Sequence, residues 1–267
     1  MSRETAILPP MLHRGKSAVP IVIAHRGASA YAPENTMSAF EEALRLKADM
    51  IELDLQTTRD GRWVVMHDFD MKRTCGKKLK VAEMTGEEIG TLEAGSWFSK
   101  RFFGEKIPRI EEVLEWAGGK ISLNLEIKGA SVQSARDLEF LVKEIHSRGR
   151  SSEILVSSFN WNTLRTLRNI DRELHIGLLV NREGIAQYLH EALLLRAFSI
   201  HLPGKKVTPK VLAKIAELEL PVYVYTLNSL REIEKFIKSG ADGFFTNFPD
   251  RGIKARELLK QGMKPPH

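Results

Sequence analysis

The chain has 267 residues, 43% of them hydrophobic, which is enough apolar content to bury one large core or two modest ones. Lysine and arginine exceed aspartate and glutamate by 40 to 34, and the resulting charge of +6 is compatible with an anionic substrate but too diffuse to indicate nucleic acid. One cysteine, Cys75, and the lack of an apolar run long enough to span a bilayer predict a soluble cytoplasmic protein without a stable membrane anchor.

The N-terminal part of the chain predicts an arm, a strand and a helix in that order. Residues 1–19 show no hydrophobic periodicity and contain prolines, so we interpret them as an N-terminal arm. The first strand is predicted at residues 20–24 and is followed by the tripeptide His-Arg-Gly at residues 25–27. Asn35 or Thr36 can then cap a helix that leads to the next strand.

Residues 50–68 predict a β-hairpin, because two short apolar runs flank polar turn residues at 58–61. Glu52 and Asp54 lie two residues apart in the first of these strands. Successive side chains of a strand point to opposite faces, so both carboxylates leave the same face.

Folding this hairpin about its turn places Glu52 opposite His67 and Asp54 opposite Val65, to within one residue of register. Two carboxylates and an imidazole then converge on one patch. A lone Glu-x-Asp pair is more commonly the solvated face of a half-buried strand, so this interpretation depends on polar residues elsewhere in the chain.

Residues 69–108 interrupt the pattern, and we interpret them as a small subdomain inserted into the main fold, with a short helix near residues 85–92. Because the segment follows His67 and Asp68 directly, we expect it to overhang the same patch. Its aromatic residues are expected to form the insertion's own small core, with one or two of them facing the site. These are Trp97, Phe98, Phe102 and Phe103.

After a helix at residues 109–117, a strand at residues 121–128 repeats the polar pattern, with Asn124, Glu126 and Lys128 on one face. Strand and helix then alternate regularly to the end of the chain. Further strands are predicted at residues 154–159, 175–180, 197–202, 222–227 and 243–247.

This regular alternation predicts an α/β fold in which parallel strands are joined by right-handed crossovers. A (β/α)8 TIM-like barrel over residues 20–260, with the second hairpin strand as a ninth member, is the economical solution. Residues 261–267 are left as a C-terminal tail. An open doubly wound sheet is the alternative, but no Gly-x-Gly-x-x-Gly motif follows any predicted strand.

The order and spacing of the polar motifs resemble the glycerophosphodiester phosphodiesterase family, and the similarity extends from residue 21 to about residue 250. The principal motifs are His25-Arg26-Gly27, Pro33-Glu34-Asn35-Thr36, Glu52-x-Asp54, His67-Asp68 and Glu126-x-Lys128. The resemblance implies a modified, phospholipase-C-like barrel with a small insertion. It also implies metal-dependent hydrolysis of glycerophosphodiesters to glycerol 3-phosphate and an alcohol.

Two positions depart from the family's usual pattern. The chain has Tyr225 where the family commonly has Trp, and Asn247 where the family commonly has Asp. Neither position belongs to the expected ligand or acid–base set. We therefore expect both departures to affect the alcohol pocket rather than the chemistry.

The chemistry of the residues agrees with this resemblance. Glu52, Asp54 and Glu126 offer three hard oxygen ligands from neighbouring strands, which suits one divalent cation, Mg²⁺ or Ca²⁺, better than zinc. As a purely structural alternative, Glu126 and Lys128 could form an ion pair on a solvent-exposed face of the strand.

The remaining polar residues divide between phosphate binding and proton transfer. Arg26 can donate to two phosphoryl oxygens at once, and Lys128 adds a point charge. His25 and His67 remain as proton carriers, and the resemblance implies that His25 is the base and His67 the acid. The plain alternatives are a pair between Arg26 and Glu34 and a turn-capping role for His67 with its neighbour.

Three functions are compatible with the sequence. The first is hydrolysis of small, soluble glycerophosphodiesters, and the second is a lysophospholipase D-type reaction of the same site on lysophospholipids. The third is a barrel that binds phosphodiesters without hydrolysing them. Two titratable histidines beside a metal site argue against the third, since a binding protein does not need them. The preferred head group, the native metal and the oligomeric state are not determined by the sequence.

Overall fold

The computed structural model describes residues 19–260. The predicted arm, except for residue 19, and the predicted C-terminal tail lie outside this range. Nine strands form one sheet within the described chain. They are β1 Ile21–His25, β2 Met50–Thr57, β3 Trp63–Val65, β4 Ser122–Ile127, β5 Ile154–Ser158, β6 His175–Leu179, β7 Ser199–Pro203, β8 Val222–Tyr225 and β9 Gly243–Thr246.

The sheet closes on itself, because β1 pairs in parallel with both β2 and β9. The barrel strands follow the order β1, β9, β8, β7, β6, β5, β4, β2, and β3 lies beyond β2 as its antiparallel partner. The predicted eight-stranded parallel barrel with a ninth hairpin strand is therefore confirmed. The open doubly wound alternative is excluded by the closure.

Ten α-helices lie within the described residues, and those outside the insertion cover the outer faces of the barrel strands. The ten helices are α1 Met37–Arg45, α2 Lys72–Cys75, α3 Gly86–Gly90, α4 Ile110–Ala117, α5 Ala135–Ser147, α6 Trp161–Ile170, α7 Ile185–Leu194, α8 Pro209–Ala216, α9 Leu230–Lys238 and α10 Pro249–Lys260. Side-chain caps fix several of their first turns: the Thr36 hydroxyl accepts from the Ala39 backbone N–H at α1, and Thr208 caps α8 in the same way.

The core has two parts because strand side chains alternate between the two faces of the sheet. Outward-facing residues such as Val22, Leu53 and Leu125 pack against the helices. A separate apolar cluster comes from alternate strand positions such as Ile23 and Met50 and fills part of the barrel interior. At the carboxyl ends of the strands the interior becomes polar.

The segment between β3 and α4, which contains the predicted insertion 69–108, has its own hydrophobic cluster. That cluster is aliphatic and sulfur-containing rather than aromatic, with Met66, Met71, Val81 and Ile89 among its buried members. The predicted aromatic core is therefore wrong. The aromatic side chains instead stack on one another, as Phe98 does against Phe102, and Phe103 is 82% exposed.

The hairpin register lies one residue from the central predicted pairing, within the tolerance of that prediction. Leu55 pairs with Val65, and the Met66 backbone N–H donates to the Asp54 carbonyl oxygen at 3.0 Å, so Asp54 lies opposite Met66 rather than Val65. The cause is a longer link: residues 58–62 close a loop in which the Thr58 N–H donates to the Arg62 carbonyl oxygen at 2.9 Å. His67 consequently reaches the site from the loop beyond β3.

Candidate active site

Three neighbouring strands, β1, β2 and β4, place the predicted site residues at one end of the barrel. His25 is in register with Glu52, and Asp54 is in register with Glu126. Lys128 follows β4 directly. Because parallel strands share their carboxyl edge, these side chains meet at the end of the barrel where the chemistry of such folds is located.

Three buried carboxylates form the centre of this site. Glu52, Asp54 and Glu126 each offer an oxygen atom within 4.8 Å of the others. Glu52 Oε2 accepts from the Arg26 backbone N–H at 2.8 Å, whereas Glu52 Oε1 is buried without a hydrogen-bond partner. An orphaned carboxylate oxygen beside two further carboxylates fits a hard divalent cation, since all three donors are oxygens.

Burial and neighbouring charges shift the pKa of each of these carboxyl groups, but not all in the same direction. Burial and the charges of Asp54 and Glu126 raise the pKa of Glu52 well above its usual value. Burial would also raise the pKa of Asp54, but the positive charges of Lys128 and Arg26 outweigh it and lower that pKa. Burial and the charge of Asp54 raise the pKa of Glu126.

The two basic residues lie against the carboxylates. Lys128 Nζ is 2.7 Å from Asp54 Oδ1 and 2.5 Å from Glu126 Oε1, and Arg26 Nε is 3.3 Å from Asp54 Oδ2. Arg26 also donates to Glu34 Oε1 at 2.9 Å. The two ion pairs that were considered as alternatives to a catalytic role, Lys128 with Glu126 and Arg26 with Glu34, are therefore present. Both involve residues at the edge of the acidic cluster.

Asn35 was missed as a site residue, although its motif was noted. Its side-chain Nδ2 donates to Asp54 Oδ2 at 2.8 Å, and the Asp54 backbone N–H donates to Asn35 Oδ1 at 3.2 Å. This two-point contact fixes the orientation of Asp54. The left-handed backbone of Asn35, with φ of 59°, is a conformation that asparagine tolerates better than most residues.

His25 contacts a residue that we had assigned to the alcohol pocket. Its Nδ1 donates to Asn247 Oδ1 at 2.8 Å, across the closure of the barrel between β1 and the end of β9. Asn247 therefore contacts a proposed proton carrier directly, a contact that was not predicted. Burial and the neighbouring charge of Arg26 lower the pKa of His25 to about 4. A neutral amide, unlike an aspartate, adds no negative charge that would stabilise the protonated ring.

His67 lies beyond β3 and contacts its neighbour in sequence. Its Nδ1 donates to Asp68 Oδ1 at 2.7 Å. Asp68 Oδ2 in turn accepts from Arg73 Nε at 2.7 Å, and Arg73 also donates to both oxygens of Glu34. Arg73 was not identified from the sequence, because it belongs to a polar segment with no motif of its own.

A cavity of about 700 Å³ opens beside Glu126 and Lys128. The segments after β4, β5 and β6 supply most of its walls, including the aromatic side chain of Phe159. Phe69 is the contribution of the insertion to this cavity, and it was not among the four aromatic residues of which one or two were expected to face the site. Space for the organic part of a substrate therefore adjoins the acidic cluster.

The turn after His25 requires glycine. Arg26 and Gly27 both have left-handed backbones, with φ of 56° and 78°, and a Cβ atom on Gly27 would lie 2.7 Å from the backbone carbonyl of Ala39. We expect Gly27→Ala to cost about 1–2 kcal/mol of conformational strain and about 1–3 kcal/mol more from the clash. Urea denaturation followed by circular dichroism measures the loss in the free energy of unfolding.

Gly149→Ala is the matched control, because Gly149 has a similar φ of 63° but no atom within 4 Å of an added Cβ. It should lose only the strain contribution, about 1–2 kcal/mol. Equal losses for the two variants would show that the contact with Ala39 does not constrain this turn.

Comparison with known proteins agrees with the family resemblance of the sequence motifs. Residues 25–251 match the model of the glycerophosphoryl diester phosphodiesterase family. A glycerophosphodiester phosphodiesterase of Caldanaerobacter subterraneus subsp. tengcongensis is 38% identical over 243 residues, which cover 91% of this chain and 98% of that protein. One from Bacillus altitudinis is 35% identical over 245 residues, covering 90% of this chain and 99% of the relative.

Solved structures agree with these relatives. An Oleispira antarctica phosphodiesterase in complex with the product sn-glycerol-3-phosphate has a TM-score of 0.82 and 26% identity, covering 90% of this chain and 97% of its own. A glycerophosphodiester phosphodiesterase from Agrobacterium tumefaciens has a TM-score of 0.78 and 26% identity, covering 88% and 99%. Because the family model and these relatives span most of its length, the chain belongs to the glycerophosphoryl diester phosphodiesterase family.

Proposed function

We propose that this protein hydrolyses glycerophosphodiesters to glycerol 3-phosphate and an alcohol, with one divalent cation, Mg²⁺ or Ca²⁺, as cofactor. The observation that carries the proposal is the convergence of Glu52, Asp54 and Glu126 with His25 at the carboxyl ends of neighbouring strands, with His67 close enough for its charge to act on Asp54. The Oleispira antarctica phosphodiesterase, which shares this fold, was solved with sn-glycerol-3-phosphate as its product. That complex supports the product we assign.

Glu52, Asp54 and Glu126 would hold the cation, with the orphaned Glu52 Oε1 as one donor. When bound, the cation supplies positive charge that stabilises the phosphoryl oxygens as negative charge develops on them. Arg26 and Lys128 lie at the edge of the same cluster and can donate to phosphoryl oxygens from there. These two side chains would thus orient the phosphodiester as well as neutralise it.

His25 and His67 would divide the proton transfers. Because the pKa of His25 is lowered to about 4, its imidazole is neutral near pH 7 and can accept a proton from the attacking nucleophile. His67 would donate a proton to the departing alkoxide, and its contact with Asp68 orients the ring for that transfer. The attacking nucleophile is water: its oxygen forms the new bond to phosphorus, its proton passes to His25, and the bond from phosphorus to the alcohol oxygen breaks as His67 protonates that oxygen.

One assay tests this function against the alternatives. The protein is incubated with glycerophosphocholine, glycerophosphoethanolamine and a lysophospholipid, with and without chelator, and released glycerol phosphate or alcohol is measured. We expect metal-dependent release from the two soluble diesters. Faster turnover of the lysophospholipid at submicellar concentration would favour the lipid reaction, and binding without release would favour a non-catalytic role.

We also propose a cytoplasmic location for the protein. The proposal is supported by Cys75, a half-buried thiol with no second cysteine in the chain to pair with. Separately, none of the helices within residues 19–260 is both long and apolar enough to cross a membrane. Fractionation of the native host cell, with detection of the protein in each fraction, tests the location.

A further inference from the structure

The guanidinium group of Arg73 lies between two carboxylates that each contact a proposed catalytic or phosphate-binding side chain. Its Nε donates to Asp68 Oδ2 at 2.7 Å. On the other side, Nη1 and Nη2 donate to the two oxygens of Glu34 at 2.9 and 2.6 Å. Arg73 therefore joins two carboxylates from different parts of the chain, one before β2 and one after β3.

The Asp68 side of this contact leads to His67. Asp68 uses one oxygen for His67 Nδ1 and the other for Arg73, so both oxygens are occupied and the carboxylate cannot rotate without losing a hydrogen bond. Burial would raise the pKa of Asp68, but its hydrogen bonds to Arg73 and His67 outweigh that effect and lower it. An ionised, immobile Asp68 fixes the plane of the His67 ring.

The Glu34 side leads to Arg26. Glu34 Oε1 accepts from both Arg73 and Arg26, which places the two guanidinium groups on one carboxylate. Arg26 is also constrained by its contact with Asp54 at 3.3 Å. The Glu34 side chain is only 13% exposed, so water competes little for these contacts.

Arg73 itself belongs to the insertion, where it lies on the short helix α2. Its guanidinium carbon lies 5.4 Å from the centroid of the Trp97 ring. Within the described residues, its ion pairs are those with Glu34 and Asp68, so it makes none with the acidic cluster. These contacts connect Arg73 to the proposed site residues through its neighbours Glu34 and Asp68.

We propose that Arg73 is a positioning residue through which the insertion holds His67 and Arg26 in their working orientations. This inference rests on the proposed function, in which His67 protonates the leaving alcohol and Arg26 binds the phosphoryl group. Loss of the Asp68 contact should lower kcat, most strongly for substrates whose leaving group needs a proton. Loss of the Glu34 contact should raise KM, because Arg26 would be less well placed to bind the phosphodiester.

The test compares Arg73→Met and Arg73→Lys with the unchanged protein on two substrates. One is glycerophosphocholine, whose alcohol is a poor leaving group, and the other is the 4-nitrophenyl ester of glycerol phosphate, whose phenolate leaves without a proton. We expect Arg73→Met to lower kcat about 10–100-fold on the first substrate and less than about threefold on the second. Lysine keeps the positive charge but cannot donate to Asp68 and Glu34 at the same time as the guanidinium does. Arg73→Lys should therefore recover part of the loss in kcat.

Arg101→Met is the matched control, since Arg101 is another arginine of the insertion and lies 4.5 Å from the centroid of the Phe102 ring. It should leave both rates unchanged. Asp68→Asn supplies a second test: if Arg73 acts through Asp68, adding Arg73→Met to Asp68→Asn should cause little further loss in kcat.

The outcomes separate this inference from the proposed function. If Arg73→Met loses kcat equally on both substrates, or loses it on neither, the positioning role is overturned. Full additivity of the Arg73 and Asp68 variants in kcat would overturn it as well. If His67→Ala itself shows no dependence on the leaving group, the proposed acid is wrong and the failure lies with the function rather than with Arg73.

Discussion

Replacing any one of Glu52, Asp54 and Glu126 by alanine should abolish binding of the divalent cation and lower kcat/KM by about a thousandfold or more. That factor corresponds to about 4 kcal/mol of lost transition-state stabilisation. Each of these side chains is buried at the same point, within 4.8 Å of the others, so each replacement removes one of three converging oxygen donors. Titration calorimetry with Mg²⁺ and Ca²⁺ measures the binding, and the chelator-sensitive rate measures the consequence.

The stability of the metal-free protein should respond differently to changes at two of these positions. The pKa of Glu52 is raised in the folded state, so its charge opposes folding near pH 7, and Glu52→Gln should raise Tm without metal. The pKa of Asp54 is lowered in the folded state, so its charge stabilises folding at pH 7 and that contribution is lost as the pH falls. Asp54→Asn should therefore lower Tm.

Glu191→Gln is the control for loss of a buried carboxylate elsewhere, because Glu191 lies on α7 and pairs with Arg165. It should bind the divalent cation as the unchanged protein does. If the chelated protein keeps its full rate, or if the three alanine variants still bind the cation, the acidic cluster is not the metal site.

The sequence predicted the barrel because its signal is local. Strand and helix periodicities alternate along the chain, and each is set by which face of an element is buried. The predicted first and last residues of strands and helices were less accurate, because the pattern reports burial and not backbone pairing. Ala197 and Phe198 are apolar and were included in the predicted strand; both are buried, yet β7 begins only at Ser199. Burial extends beyond the residues that pair in the sheet.

The acidic cluster could also be predicted, since Glu52, Asp54 and Glu126 lie on strands that are neighbours in the barrel. Contacts between residues far apart in the sequence were harder to predict. His25 and Asn247 are 222 positions apart, and only the pairing of β1 with β9 brings them together. That closure was expected, so the end of the last strand could have been searched for a partner of His25. Arg73 offered no such signal, because its position depends on how the insertion packs.

The two histidines should give different responses to the leaving group when each is replaced by alanine. Loss of a positioned acid or base costs about 10²–10⁴-fold, so both variants should be strongly impaired on glycerophosphocholine. His67→Ala should recover most of its rate on the 4-nitrophenyl ester, since that leaving group needs no proton. His25→Ala should not recover, because activation of the nucleophile is required for either substrate.

The pH dependence of the rate should report the same roles. Since the pKa of His25 is lowered to about 4, the rate should fall as the pH drops towards that value rather than near 6.5, the usual range of free imidazole. This acid limb should persist in His67→Ala on the 4-nitrophenyl ester, because that variant keeps His25. Rate profiles of kcat/KM for the unchanged protein and both variants measure this.

His146→Ala provides the matched control, because His146 forms a similar histidine–aspartate pair at 2.7 Å with Asp171 but lies on α5, outside the site. It should keep the rate and the pH profile of the unchanged protein on both substrates. If neither His25→Ala nor His67→Ala loses more than about tenfold on glycerophosphocholine, these imidazoles do not transfer the protons. If instead His25→Ala is the variant that recovers on the 4-nitrophenyl ester, the two roles are reversed: His25 is then the acid, and the neutral ring held by Asn247 must acquire its proton only in the complex with substrate.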